Sequence, residues 1–191
     1  MDPKSAASKL GPRLPNFARS ATPRANEAVV TTPIAASEPI RCLRATLLMA
    51  TAGGTSGPEA SLTPFWRSAP QLYIYVSELA AHTHNLLQFG HAGVMLLPPD
   101  SERSNPFARR RLSFRATAVG VARDDPVWQQ ALDGLKTRFG STVDVIRPLR
   151  DFHLIRLTPV DGTYVRAFAQ AYPVSGPELV VQSRPRTKSV S

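Results

Sequence analysis

The segment from Val76 to Leu87 reads VSELAAHTHNLL and joins a predicted strand to a predicted helix. Before it, Gln71 to Val76 carries the strand formers Leu, Tyr and Val. From Glu78 to Phe89 the apolar residues recur at helical spacing, and Gly90 then suits a helix C-terminus. A strand that turns into a helix presents free backbone N–H groups, which favour an anion. The segment therefore predicts an anion-binding corner formed by Ser77, His82, Thr83 and Asn85.

Ser77 has an alternative role at this corner. A serine just before a helix often caps it, and the histidines then lie on the helix surface. His82 and His84 are two residues apart, so on a helix they face different directions and cannot both bind one metal ion. We therefore predict no metal site, and both roles of the corner stay open.

The flanking residues predict an antiparallel β-structure. Upstream, Thr46–Thr51 and Glu59–Trp66 are joined by a glycine-rich turn and predict a β-hairpin that leads into a meander. That turn connects two strands and not a strand to a helix, so it is not a dinucleotide-binding loop. Downstream, His91–Leu97 predicts a buried strand, and Arg110–Ala122 a long alternating one.

Three helices and about seven strands complete the prediction. One helix begins near Ser37, and the clearest covers Pro126–Phe139. The final strands, Phe152–Thr158 and Tyr164–Ala169, are separated by Asp161-Gly162, a hairpin signal. Because helices do not alternate regularly with strands, the pattern favours a mainly β fold, a Greek-key or split barrel with flanking helices, over a parallel sheet.

Composition indicates one domain with basic extensions. The chain has 191 residues, a formal net charge of +9 and 18 prolines. We predict a folded domain over residues 37–172, a flexible N-terminal extension over 1–36 and a basic C-terminal tail over 173–191. Much of the excess charge lies in the extensions, which disfavours a nucleic-acid partner. Within the domain, the triple arginine Arg109–Arg111 either binds an anion or protects an edge strand.

Cys42 is the only cysteine, so a reducing compartment is expected. Polar residues and prolines interrupt each apolar stretch before Val29, and no segment has the length of a membrane span. We predict a cytoplasmic protein that does not bind membranes. An organellar transit peptide is the alternative for the arginine-rich N-terminus.

Several motifs, in consistent order, carry a family resemblance. They are Ala60-Ser61, Pro64-Phe65, the Leu-Ala-x-His-Thr-x-Asn-Leu element over 79–86, Phe107–Phe114, Arg138–Gly140, Asp151-Phe152 and Arg156–Pro159. Together they resemble the HugZ- and HutZ-type haem-utilisation branch of the pyridoxamine 5′-phosphate oxidase-like superfamily. The resemblance covers residues 37–172 and implies an FMN-binding split β-barrel.

The resemblance also implies a homodimer with a flat cofactor in two clefts at the subunit interface. The cofactor is FMN in the superfamily at large and haem in the HugZ branch. By position, Ser77, His82, Thr83 and Asn85 would face its phosphate or propionate. Arg110 or Arg111 would approach the ring, with Ser61 and Trp66 as further candidates from neighbouring strands.

Two departures from the family pattern rank the functional hypotheses. Ala81-His82 stands where the oxidase has Arg-Lys, which argues against pyridoxamine-phosphate oxidation itself. No histidine follows His153, whereas HugZ-type haem degraders bind iron through a C-terminal histidine. The leading hypothesis is therefore an FMN-dependent oxidoreductase with a small-molecule substrate or electron donor. The alternatives are a haem-binding or haem-degrading protein, with Asp144 or Asp151 as its orienting acid, and a cofactor-free binding module. Haem would then need another axial group from His82, His84, His91 or His153.

Overall fold

Nine strands form one antiparallel sheet in the described part of the chain. The structure, a computed structural model, describes residues 46–53, 57–98 and 105–182. The strands are β1 Thr46–Gly53, β2 Gly57–Pro64, β3 Trp66–Ser68, β4 Gln71–Ser77, β5 His91–Leu96, β6 Arg111–Gly120, β7 Phe152–Ala167, β8 Gln170–Ser175 and β9 Val180–Val181. Their order is β2-β1-β5-β6-β7-β4-β3, with β8 paired to β7 and β9 to β8. The predicted fold class, a mainly β split barrel with flanking helices, is confirmed.

Three α-helices flank the sheet in the described ranges: α1 Ala81–Phe89, α2 Pro126–Phe139 and α3 Thr142–Ile146. A 3-10 helix covers Pro106–Ala108. Helix α1 ends at Gly90, whose φ of 67° is the left-handed conformation predicted there. Helix α2 has its predicted bounds, because Asp125 caps it by accepting a 2.8 Å hydrogen bond from Val127 N–H. Helix α3 was not predicted, and the helix expected near Ser37 lies outside the described residues.

The buried side chains form two clusters on opposite faces of β4. Leu72, Ile74 and Val76 point into the interior of the curled sheet, where Leu86 of α1 joins them. The alternate residues, Tyr73 and Tyr75, pack beneath α2. Because both faces are covered, β4 is buried along most of its length, and this anchors the point where it turns into α1.

The predicted hairpin at Asp161-Gly162 is wrong. Strand β7 runs without a turn from Phe152 to Ala167 and pairs with β6 along its length. The register shifts between Arg115, which pairs with Asp161, and Ala116, which pairs with Pro159. The extra residue at this β-bulge is Val160, whereas Asp161 and Gly162 pair regularly with Arg115 and Phe114. Pairing with the long strand β6 therefore overrides the local turn signal of Asp-Gly.

Two further expectations about the sheet need correction. Strand β5 is buried on one face only, since Ala92, Val94 and Leu96 are buried while His91 and Gly93 are exposed. The first strands do not form a meander, because β1 pairs with β2 and β5, whereas β4 pairs with β3 and β7.

The sheet continues beyond Tyr172, the predicted end of the domain. Strand β8 pairs with β7, and β9 then pairs Val180 with Ser175 and Val181 with Val174. Within the described ranges, no helix combines the length and apolar character needed to cross a membrane.

Candidate functional site

A cavity of about 510 Å³ lies on the side of the sheet that points away from the interior cluster. We call this side, on strands β2, β1, β5, β6 and β7, the outer face. Its floor is made by small residues in register, because Ala50 pairs with Ala60 on one side and with Gly93 on the other. Directly opposite residues in antiparallel strands share a face. Ala60, Ala50 and Gly93 therefore form a continuous strip, here called the small-residue row.

A second strip of larger side chains runs beside the first. Leu48 pairs with Leu62 and with Met95, so these three residues also lie on the outer face and form the leucine row. Leu48 is 41% exposed and Leu62 is 64% exposed. The outer face thus has a shallow floor bordered by an apolar wall, a shape that suits a flat apolar ring.

An ion pair closes the small-residue row at its far end. Gly93 pairs with Arg115, which in turn pairs with Asp161. The Arg115 guanidinium donates from Nε and Nη2 to the Asp161 carboxylate, with a distance of 2.8 Å from Nε to Oδ1. This hydrogen bonding lowers the pKa of the Asp161 carboxyl. Both residues line the cavity, so its rim carries a guanidinium paired with a carboxylate.

The predicted anion corner is built from internal hydrogen bonds. Ser77 Oγ donates to Asp151 Oδ2 at 2.8 Å and accepts from Leu79 N–H at 3.1 Å. Thr83 is fully buried, and its hydroxyl donates to the Ser77 carbonyl at 2.6 Å. The two hydroxyl donors are therefore already engaged, and the Asp151 carboxylate beside them repels a phosphate.

The other two corner residues face β1 and β2. Asn85 Nδ2 donates to Thr51 Oγ1 at 3.1 Å, and its amide lies where a Cβ on Gly53 would be, 2.1 Å from Oδ1. Burial lowers the pKa of His82, although the nearby Glu59 carboxylate opposes this shift. The lowered pKa favours the neutral imidazole, which offers no positive charge to an anion.

The remaining predicted residues lie on other strands. Ser61 borders the cavity, but it pairs with Met49 and so shares the core-facing side, where its buried Oγ has no hydrogen-bond partner among the described residues. Arg111 lies two residues before Ser113 and shares the outer face, while Arg110 is exposed. Trp66 packs 5.4 Å from Tyr73 in the cluster under α2, away from the cavity.

The structure thus divides the predicted site residues into two groups. Ser77, His82, Thr83 and Asn85 belong to α1 and its entry, and Asn85 reaches Thr51 on the core-facing side of β1. Ser61 and Arg111 belong to strands that carry the cavity. Sequence reasoning missed the small-residue row and Arg115, because small exposed residues on separate strands form one surface only through the strand register.

Comparison with known proteins identifies the family. The family model described as pyridoxamine 5′-phosphate oxidase matches residues 41–166. The chain belongs to this family. Within the family it is similar to the haem oxygenase HutZ of Vibrio cholerae, with 37% identity over 137 residues, which cover 72% of this chain and 78% of HutZ. The chain therefore lies on the HugZ- and HutZ-like branch.

Solved structures of family members agree with the fold. The crystal structure of Vibrio cholerae HutZ, described there as a haem storage protein, matches with a TM-score of 0.59 and 32% identity over 71% of this chain and 90% of HutZ. Campylobacter jejuni ChuZ matches with a TM-score of 0.66 and 25% identity, covering 77% of this chain and 60% of ChuZ. The chain also shares its fold with a haem-binding protein from Mycobacterium smegmatis. The TM-score is 0.67 and the identity 20%, and the match covers 78% of this chain and 61% of that protein.

Proposed function

We propose that this protein binds haem on its outer face and serves haem utilisation. The observation that carries the proposal is the 37% identity over 72% of the chain to a haem oxygenase, HutZ. The geometry of the cavity agrees with it, since a volume of about 510 Å³ over a floor of small residues suits a flat macrocycle. This reading replaces the FMN-dependent oxidoreductase as the leading hypothesis.

The residues of the cavity fit the chemistry of haem. The small-residue row lets a planar ring approach the sheet, and the leucine row shields the ring from water. The propionates are carboxylates, for which an arginine fork is the strongest side-chain partner. Arg111 lies on the same face as the cavity, whereas Arg115 is already bonded to the Asp161 carboxylate. When bound, haem supplies an iron centre whose reactivity depends on its axial ligand and the polarity around it.

FMN is the competing ligand, but the predicted anion corner has few free groups that could bind its phosphate. A phosphate needs several free donors or a cation, but Ser77, Thr83 and Asn85 already donate to groups within the chain. The carboxylate of Asp151 accepts from Ser77 at 2.8 Å, so its charge would oppose a phosphate at that position. These contacts support haem over FMN.

A titration of the full chain with haemin and, separately, with FMN tests the proposal. We expect a Soret band that saturates at equimolar haemin, and no quenching of flavin fluorescence. Flavin binding without a Soret band would instead restore the FMN reading, and the absence of both signals would favour a cofactor-free binding module. Addition of a reductant in air then separates degradation, which removes the Soret band, from storage, which retains it.

We also propose that the chain forms a homodimer through the outer face. Two copies of an exposed apolar strip can cover each other, which explains why Leu48 and Leu62 remain 41% and 64% exposed in one copy. We expect Leu62→Asp to give a monomer by light scattering, because a charge cannot be buried there without a partner. The matched control is Leu79→Asp, since Leu79 is 94% exposed in the turn before α1. A dimeric Leu62→Asp protein would contradict this interface.

The cytoplasmic location remains a prediction from the lone Cys42.

A further inference from the structure

His91 is the histidine that lies on the outer face. The chain has four histidines, all within the described residues. Along β5, Ala92, Val94 and Leu96 point into the core, so the intervening residues, His91 and Gly93 among them, point outward. Gly93 belongs to the small-residue row. His91 therefore lies two residues before Gly93 on the same strand and on the same face, beside the residues that line the cavity and not among them.

The imidazole of His91 is held in one tautomer by its own backbone. Nδ1 lies 2.7 Å from the carbonyl oxygen of Phe89. A carbonyl oxygen only accepts, so Nδ1 carries the proton and Nε2 keeps its lone pair. The Phe89 ring packs edge-on to the imidazole at 6.5 Å between centroids. A histidine whose Nδ1–H bonds to a carbonyl is the usual arrangement for metal binding through Nε2.

The other three histidines are engaged or placed elsewhere. His153 Nε2 lies 2.6 Å from Glu78 Oε1, and its partner across the strands is Val76 of the interior cluster. His82 lies on α1 and faces the Glu59 carboxylate. His84 also lies on α1, which contacts the core-facing side of β1 through Asn85.

We propose that Nε2 of His91 is the axial ligand to haem iron in this protein. This assignment rests on the proposed function, since it names the iron ligand of the same site. The backbone carbonyl of Phe89 acts as the positioning group that orients the ring.

The test compares spectra of the full-length protein with haemin added. We expect the unaltered protein to show a histidine-ligated ferric spectrum and an iron–histidine stretch in the ferrous resonance Raman spectrum. His91→Ala should lose both and bind haem about tenfold more weakly or worse, because losing a ligand costs at least as much as losing its outer partner. Free imidazole should restore the spectrum. His84→Ala is the matched control and should keep it.

A second variant tests the assignment through the appearance of a new haem spectrum and not through the loss of one. His91→Cys should replace the histidine spectrum with that of a thiolate-ligated haem, which shows that the side chain at this position reaches the iron. A Soret band that is unchanged in His91→Ala would overturn the assignment and leave haem binding intact. No Soret band in the unaltered protein would overturn the proposed function and the assignment together.

Discussion

Replacing Gly93 by leucine is expected to weaken haem binding strongly and leave the fold intact. Gly93 lies in the middle of the small-residue row, with Ala50 on one neighbouring strand and Arg115 on the other. A Cβ at Gly93 would meet Ala50 Cβ at 3.7 Å and the Ala50 carbonyl at 3.9 Å, which are ordinary contacts. The Cβ of a leucine at position 93 therefore meets no clash, and the rest of its side chain would occupy the floor on which the ring would lie. We expect the Kd for haemin to rise by more than tenfold.

The control for this result is Gly93→Ala. One methyl group raises the floor only slightly, so haem affinity should stay within a few fold of the unaltered protein. Urea denaturation should give both variants nearly unchanged free energies of unfolding, because neither side chain is forced against the backbone. If Gly93→Leu is stable and binds haemin as tightly as the unaltered protein, the ligand does not lie on this row and the cavity is not the site.

Gly162→Ala is expected to lower the free energy of unfolding more than any other variant proposed for this protein. A Cβ at Gly162 would lie 2.1 Å from the Ser113 carbonyl oxygen and 2.7 Å from Phe114 Cα. Both are backbone atoms of β6 and cannot rotate away as a flexible side chain does. The strands must separate at Gly162 to admit the methyl group, which weakens a strand pair that holds the centre of the sheet. Overpacking of this kind costs about 3 kcal/mol, and rigid surroundings raise that cost.

The free energy of unfolding from urea denaturation measures this cost. Gly93→Ala is again the control, since it adds the same methyl group to a strand glycine where a Cβ would make only ordinary contacts. The difference between the two variants then reports the close approach of β7 to β6 rather than the loss of backbone flexibility. Equal stabilities would show that β6 and β7 separate easily at this position and that their close approach does not require Gly162.

Sequence patterns predicted the elements whose signals are local. Helix α2 was predicted with its full extent, because Asp125, Pro126 and the spacing of apolar residues all lie within the helix or next to it. Gly90 ends α1 as predicted, since only a glycine adopts its φ of 67° without strain. The family resemblance identified the branch as well, because its Leu-Ala-x-His-Thr-x-Asn-Leu element is contiguous over 79–86.

The corner shows why residue type alone did not determine the role of a side chain. Ser77, Thr83 and Asn85 carry the hydrogen-bond donors that an anion needs, and the sequence pattern therefore predicted that they bind an anion. Two of their partners, Asp151 for Ser77 and Thr51 for Asn85, lie 74 and 34 residues away in sequence. Only the folded chain brings these acceptors within 3.1 Å, and the donors are then engaged before any ligand arrives.

By itself, the sequence determined the bounds of α2, the end of α1, the mainly β class and the family, because these depend on neighbours within a few residues. The tertiary structure alone decided that Asp161-Gly162 lies within a continuous strand and that Ala60, Ala50 and Gly93 form one floor. It also placed Arg115 at the rim of that floor and His91 on the same face. Strand register is the physical reason, since pairing over long stretches of chain sets which side chains meet.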